Sequence, residues 1–465
     1  MFKLSEVAQA TSGRTTAADV GVTAVCSDTR ALEPGCLYAA RRGANLDGHD
    51  FVETALQHGA AAVLVDAQWA AAHAPAGPVV SVADTRLALG ALAAHWRQRF
   101  TLPVVGITGS NGKTTVKEMT AAILRAQAGI DGFEPAQAVL ATEGNLNNDI
   151  GVPRMLFRLQ AAHRAAVIEM GMNHPGEIAY LAALAKPSVG LVTNAHRAHL
   201  AGMGTVADVA REKGALFEAL GEQGVAVVNA DDPYCDTWAR MAGPARVSTF
   251  GLGAAATVRA SYRVRGLGSV VELLTPEGPV EFQLAVPGEH NVRNAAGAAA
   301  AALAAGAGLQ AVAEGLAAFR GVKGRLQLHQ LPGGALLLDD SYNANPDSVR
   351  AGIAVLAGTP GRKILVLGDM GEIGERSGQY HDEMGGYAKS QGIDQLFALG
   401  ELAELAARNF GEGGRIFAKP ADLVAALRRV LGPDTCVLVK GSRFMRMERV
   451  VNALIEGGEG KHHAA

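Results

Sequence analysis

The chain has 465 residues, more than one hydrophobic core usually supports, so about three domains are expected. A formal net charge of -3 with scattered Lys and Arg, and only 5% aromatic residues, argue against electrostatic capture or base stacking of nucleic acid. Cys26, Cys36, Cys235 and Cys436 form no CxxC pair and show no zinc spacing, which argues against a disulfide framework and fits a reducing compartment.

Short apolar runs alternate with longer amphipathic stretches along the whole chain, the signature of strand-helix units and of an α/β fold with largely parallel sheets. The opening residues, MFKLSEVAQATSG, carry no apolar run before a small-residue cleavage site, so no secretory signal is expected. A smaller N-terminal α/β domain is predicted over 1–102, with short strands around LYAARR and AAVLVD. It closes at HWRQRFTLP, where basic residues and a proline end a helical pattern. A central domain over 103–321 starts at the apolar strand Val104 to Thr108 and carries a parallel sheet of the phosphate-loop ATPase type. It ends after an Ala-rich helix, at the basic glycine turn Phe319 to Arg325. The longest uncharged apolar stretch, Ala295 to Leu309, falls short of the roughly 20 residues of a spanning helix, so a cytoplasmic chain without a membrane segment is expected. From 322 to 465, strands ALLLDD, KILVLGD, QLFALG, RIFA and CVLVKG alternate with helical patterns such as DLVAALRRVL and RMERVVNALIEG, as a doubly wound, Rossmann-like domain requires. There is no internal repeat, and only the tail Glu456 to Ala465 loses the apolar period.

The segment LPVVGITGSNGKTTVKEMTAAILRA reads as a buried strand, a small-residue loop and a helix with apolar positions at Val116, Met119, Ile123 and Leu124. That context suits a phosphate loop. Backbone N–H groups of Gly109, Ser110, Asn111, Gly112 and Lys113 would wrap the phosphates of ATP at the helix N-terminus. The Lys113 ammonium would sit on the β/γ oxygens, and a hydroxyl from Thr114 or Thr115 would reach Mg²⁺. The strict pattern G-x-x-x-x-G-K-[ST] asks for glycine at Ile107, whereas the first glycine is Gly106.

This shifted variant, T-G-S-N-G-K-T over Thr108 to Thr114, resembles the Mur ligases of peptidoglycan synthesis and their relatives the folylpolyglutamate synthases. Further stretches in matching order over nearly the whole chain look like the same family. In VIEMGMNHPGEIAYL and VTNAHRAHL the resemblance places Glu169 and His199 near the metal ions; Glu169 is a suitable hard oxygen ligand for Mg²⁺, while the His199 nitrogen is not its preferred donor. Lys213, in VADVAREKGALFEAL, reads alone as a solvated helix lysine, but the resemblance implies a carbamate formed with CO₂ that holds a second Mg²⁺. PGEHNVRNAAGAAAA puts Asn291 and Asn294 on one helical face and resembles the segment that meets the adenine end of ATP. Arg325, with Asp340 and Asn343 of DDSYNANPDS, looks like the third-domain elements that close over the nucleotide. In the first domain, Ser27, Asp28, Thr29 and Arg30, with the loop Asp47-Gly48-His49, resemble a uridine-diphosphate module. TEGNLNNDIGVP resembles the stretch that holds the sugar-peptide substrate, through Thr142, Asn147 and Asn148.

Within the family, VLGDMGEIGERSGQYH, VLVKGSRFMRMERVV and EMGMNHPGEI resemble the ligase that adds D-alanyl-D-alanine to UDP-N-acetylmuramoyl-tripeptide, and the Asp-Asn-Pro-Arg-like motif of the diaminopimelate-adding enzyme does not occur. The implied chemistry is an acyl phosphate made from ATP and displaced by the dipeptide amine. Lys440, Ser442 and Arg443, at a strand-to-helix turn, are candidates for cradling the dipeptide carboxylate. His381 reads as either a site or a structural residue. With sites spread over three domains, closure during catalysis, an open form without ligands and a monomer are expected. Two readings stand beside this one. A folylpolyglutamate synthase leaves the first hundred residues unexplained, and a non-enzymatic nucleotide-binding switch leaves Glu169, His199 and Lys213 without a role.

Overall fold

A computed structural model describes residues 1–456 apart from positions 16 and 44. Three sheets, mostly parallel and covered by helices, follow one another along the chain, the α/β architecture that the alternation of apolar runs and amphipathic stretches predicts. Of the tail expected to lose its period, Glu456 closes the helix Glu448–Glu456, and 457–465 lie outside the described residues. Among the described residues no helix is long and apolar enough to cross a membrane.

The first sheet is small: strands Val25–Cys26, Leu37–Ala39, Ala62–Asp66 and Val79–Val82 lie parallel in chain order, beside an antiparallel pair Phe2–Lys3 and Gly21–Val22. The helix Thr85–Arg97 starts where the Asp84 carboxylate accepts the N–H groups of Arg86 and Leu87. Its Leu89 and Leu92 enter the first core and its Ala93 the central one, so one helix ties two sheets together.

The central sheet has nine strands. Six of them, Val139–Ala141, Ala165–Glu169, Val104–Thr108, Val189–Val192, Val225–Asn229 and Arg246–Gly251, run parallel side by side. Alternate residues serve opposite faces: Val105 and Ile107 join the core under the helices Lys113–Ile130, Glu289–Ala304 and Leu309–Ala318, while Val104 joins the opposite core under Glu177–Ala185 and Val206–Glu218. Residues 295–302 of the Ala-rich helix are all buried, and a Cβ at Gly315 would stand 2.5 Å from the Ile123 backbone, so small residues let the helices lie close together. The sequence reading did not separate the remaining edge, where Val258–Arg265, Gly268–Thr275 and Gly278–Leu284 form an antiparallel meander. Its tight turns use Gly266 and Gly278 with positive φ, and Val271, Leu273, Phe282 and Leu284 alternate into the core.

In the third sheet Gln327–Gln330 is an antiparallel edge, followed by parallel strands in the order Leu336–Asp340, Thr435–Lys440, Arg362–Gly368, Gln395–Leu399 and Gly414–Phe417. Inserting the last strand of the chain between two earlier ones brings the loops after Gly368 and after Lys440 together, where Gly371 N–H donates to the Ser442 hydroxyl at 2.7 Å. The carboxyl ends of the central and third strands face each other. The structure is not the open form expected from sequence: Arg197 grips Asp347 and Glu383, and Asn111 and Asn345 exchange side-chain hydrogen bonds across the junction.

Candidate active site

The phosphate loop has the conformation its glycines allow. Gly109 has φ of 147° and Gly112 of 84°; a Cβ at Gly109 would stand 1.8 Å from the Thr193 hydroxyl, and one at Gly112 2.6 Å from Asn294 Oδ1. The shifted Gly106 is not part of the loop at all; it lies within Val104–Thr108, where a Cβ would press on Leu216 at 3.0 Å. Neighbouring strand ends brace the loop: Ser110 N–H donates to the Asn194 carbonyl at 3.0 Å, and Asn111 N–H to Asn194 Oδ1 at 2.9 Å. Lys113 folds back on the loop, donating to the carbonyls of Gly109 at 2.7 Å and Ser110 at 3.3 Å. Burial lowers its pKa, with the Glu169 carboxylate pulling the other way.

Glu169 ends its strand almost fully buried. Its N–H donates to the Thr142 hydroxyl at 2.9 Å, and its Oε1 accepts from Asn147 Nδ2 at 2.7 Å, while the buried Oε2 has no partner. Asn147 thus joins the carboxylate, whereas Asn148 Oδ1 accepts Gly151 N–H at 2.9 Å where the next helix begins. Sequence reasoning missed Lys117: its Nζ is buried, donates to the Thr142 carbonyl at 2.7 Å and pairs with Glu118 at 2.5 Å, anchoring the loop that holds Glu169. Lys213 is not the solvated lysine its sequence suggests. A Thr205–Asp208 capping box starts the helix Val206–Glu218, and the 3.6 period then sets Lys213 on the buried face with Val209, Ala210, Leu216 and Phe217. Its amine has no hydrogen-bond or ion-pair partner among the described residues, and burial, then the Lys113 charge, hold its pKa well below the usual range. His199 sits at φ of 58°, with Nδ1 3.2 Å from Glu372 Oε2. Burial lowers its pKa first, with Lys113 and Lys213 adding and Glu372 opposing.

Among the described residues no three His, Cys, Asp or Glu side chains converge as a metal cage. The donors still fit Mg²⁺, which takes one or two carboxylates and leaves its other positions to phosphate oxygens and water. The orphaned Oε2 of Glu169 is such a donor.

A cavity of about 270 Å³ joins the two rims. Its wall includes Asn111, Gly112, Thr114 and Thr115 from the loop, Asn291 and Asn294 from the Ala-rich helix, and Arg325, Asp340 and Lys440 from the third unit. Of the expected nucleotide set, Gly109, Ser110, Lys113 and Asn343 are not part of this wall. Sequence reasoning missed His290, Arg293 and Asp347, which also line it. Burial, followed by the Lys440 and Arg293 charges, pushes the His290 imidazole down to about 4. Asn294 Nδ2 donates to Asn291 Oδ1 at 3.1 Å, so the i, i+3 spacing does put the two amides together.

Two of the three expectations for the dipeptide cradle need revision. Lys440 is 2% exposed and spent on Asp340 at 2.6 Å and the Asn343 carbonyl at 2.9 Å, on the nucleotide side. The buried Ser442 hydroxyl donates to the Ala344 carbonyl and accepts Gly371 N–H. Only Arg443 is exposed, pairing with Glu448 at 2.9 Å. Arg325 stacks over the Tyr342 ring at 4.2 Å, and Arg443 lies 5.6 Å from the same ring. His381 is structural: Nε2 accepts Met370 N–H at 2.8 Å, and Nδ1 donates to the Ser377 carbonyl at 2.7 Å.

A second cavity, of about 160 Å³, lies where the first and central units meet and is lined by Ser27 and Asp28 together with Arg154 and Phe157. Arg154 was missed by sequence reasoning. Asp28 caps the turn Thr29–Ala31, and the Arg30 guanidinium pairs with it at 2.7 Å and holds its carboxyl at about 2. Asp47 and His49 do not reach this cavity wall. His49 is buried, with Nδ1 on Asp47 at 2.6 Å and Nε2 accepting Asp66 N–H at 3.0 Å, which leaves no ring nitrogen for a ligand. Gly48 is required by packing, since a Cβ there would meet Arg41 N at 2.5 Å.

Family models match along the chain in the same order: the Mur ligase family catalytic domain over 21–97, the Mur ligase middle domain over 107–302, and the Mur ligase glutamate ligase domain over 324–443. The UDP-N-acetylmuramoyl-tripeptide–D-alanyl-D-alanine ligase of Escherichia coli K12 is 43% identical, covering 98% of this chain and 98% of that protein. The crystal structure of MurF from Acinetobacter baumannii superposes with a TM-score of 0.88 at 34% identity, covering 97% of this chain and 98% of that one. The structure of MurF ligase from Thermotoga maritima in complex with ADP gives 0.82 at 26% identity, covering 94% and 98%. With the phosphate loop, the facing rims and these matches in hand, the chain belongs to the Mur ligase family.

Proposed function

We propose that this protein is the ATP-dependent ligase that joins D-alanyl-D-alanine to UDP-N-acetylmuramoyl-tripeptide, in cytoplasmic synthesis of peptidoglycan precursors. The observation that carries this reading is the closeness of Lys113 to Glu169, His199 and Lys213, whose charges act on one another, in a chain 43% identical end to end to a ligase of that name. A folylpolyglutamate synthase would leave the first sheet and its cavity without a substrate, and a nucleotide switch would leave the buried Lys213 amine unexplained.

In this reading the chain divides at 102 and 321 and works as a monomer, the first domain holding the uridine diphosphate through Ser27, Asp28, Thr29 and Arg30, joined by Arg154 of the central domain. Thr142 and Asn147 position the tripeptide beside Glu169. The terminal carboxylate attacks the γ-phosphate of ATP, whose oxygens are held by the loop N–H groups and Lys113; positioning and charge neutralisation suffice for such a transfer. Thr114, Glu169, His199 and a carbamylated Lys213 would hold Mg²⁺, which supplies positive charge to the phosphate oxygens. Asn291, Asn294 and Arg325 bind the nucleoside end. The dipeptide amine then displaces phosphate from the acyl phosphate, with Arg443 and nearby backbone N–H groups facing the dipeptide carboxylate.

The test is phosphate release by the purified protein with Mg-ATP, the tripeptide nucleotide and different acceptors. The expected result is release with D-alanyl-D-alanine alone, and a product heavier by that dipeptide less one water. Release with a single amino acid on the shorter precursor would refute the substrate assignment.

A further inference from the structure

Glu372 belongs to the third sheet's loops but reaches the central rim. Its Oε2 lies 3.2 Å from His199 Nδ1, a buried nitrogen that makes no aligned hydrogen bond among the described residues; the two groups stand at ion-pair distance without hydrogen-bond alignment. Glu372 is held at φ of 61°, left-handed and unfavourable for a side chain of this kind, opposite His199, which is left-handed as well. The surroundings hold the two residues in place: Ala201 N–H donates to the Glu372 carbonyl at 3.3 Å, and Leu200 packs against both the central and the third core. The Glu372 side chain is 64% exposed, and an ion pair so wet adds little to stability, so stability does not account for the strained backbone.

We propose that Glu372 is a positioning residue for His199. Alignment of this carboxylate with the N–H on Nδ1 would leave the lone pair on Nε2 and fix the ring, the way carboxylates orient histidines that bind metals. This part of the cation site is then complete only while the third sheet is docked on the central one. The inference rests on His199 being a cation ligand, as the proposed function has it.

The experiment uses the full chain with ADP and Mn²⁺ as a paramagnetic substitute for Mg²⁺, and compares wild type, Glu372→Gly, Glu372→Gln, His199→Ala and the double variant Glu372→Gln/His199→Ala. Mn²⁺ affinity is read by electron paramagnetic resonance, with the melting temperature and the steady-state constants alongside. Glu372→Gly is expected to melt higher, because glycine accepts the left-handed backbone, and yet to bind Mn²⁺ about tenfold more weakly with a lower kcat. Glu372→Gln is expected to weaken Mn²⁺ binding in the wild-type background and to add nothing to His199→Ala. Wild-type Mn²⁺ affinity in both Glu372 variants would overturn the positioning role and leave the histidine assignment standing. Wild-type affinity in His199→Ala would overturn the histidine assignment and this inference with it.

Discussion

Two buried lysines separate the two rims. On the central rim Lys213 is 1% exposed and has no partner among the described residues; on the third rim Lys440 is 2% exposed and bound to Asp340 and the Asn343 carbonyl. Burial lowers both pKa values, but at Lys440 the Asp340 carboxylate opposes it. The contrast extends to their neighbours. Glu169 Oε2 and His199 Nδ1 are buried without an aligned partner on the central side, whereas Ser442 and His381 are fully used by backbone groups on the third side. A buried polar group without a partner is costly, so a rim that gathers several is built for a ligand, and a rim that has closed its hydrogen bonds is a scaffold.

The largest expected effect tests the ligand side. Lys213→Met should lower ligase activity by about 1,000-fold, a change of about 4 kcal/mol in the barrier, while the melting temperature holds or rises because a buried amine is gone. Phosphate-release assays beside thermal melts check this, and an active variant would remove Lys213 from the chemistry. On the scaffold side, Lys440→Met strands Asp340 and should cost about 3 kcal/mol of stability, measured by urea unfolding; an unchanged midpoint would show that the pair is not a scaffold. Away from both rims, Arg154→Ala should raise KM for the uridine nucleotide about tenfold, about 1.4 kcal/mol, and leave KM for ATP unchanged. A change in the ATP constant alone would detach Arg154 from the first cavity.

The smallest effect is a slope with pH. In carbonate-free buffer the folded Lys213 amine gives up its proton below the ordinary value of 10.5. Between its folded and unfolded pKa values the unfolded chain therefore binds more protons, and stability rises with pH across that window. Lys213→Met should lose this rise, so the difference in unfolding free energy between wild type and variant should change from neutral to alkaline pH. A constant difference would mean that the amine titrates normally.

The sequence carried the phosphate loop well, because its signals are local: left-handed Gly109 and Gly112, then Lys113 opening a helix. The third sheet's strands were readable for the same reason, each being a short apolar run of its own. Burial created by distant chain was not readable. Lys117 looks like any helix lysine until the Thr142 carbonyl, 25 residues on, reaches it. The same limit hid Arg154, which faces the first cavity only because two units meet there. It also made His49 and Lys440 look available, since a sequence does not show whether a polar side chain has already found its partner.

Tyr342, with guanidinium groups on it from Arg325 and Arg443, also has a spectroscopic consequence. The three tryptophans, Trp69, Trp96 and Trp238, all precede the third sheet, so that unit carries no indole of its own. Tyr342→Trp would place a cation-quenched fluorophore against Arg325, a residue of the cavity wall, and phosphates that draw Arg325 off the ring would brighten it, turning nucleotide arrival into an optical signal.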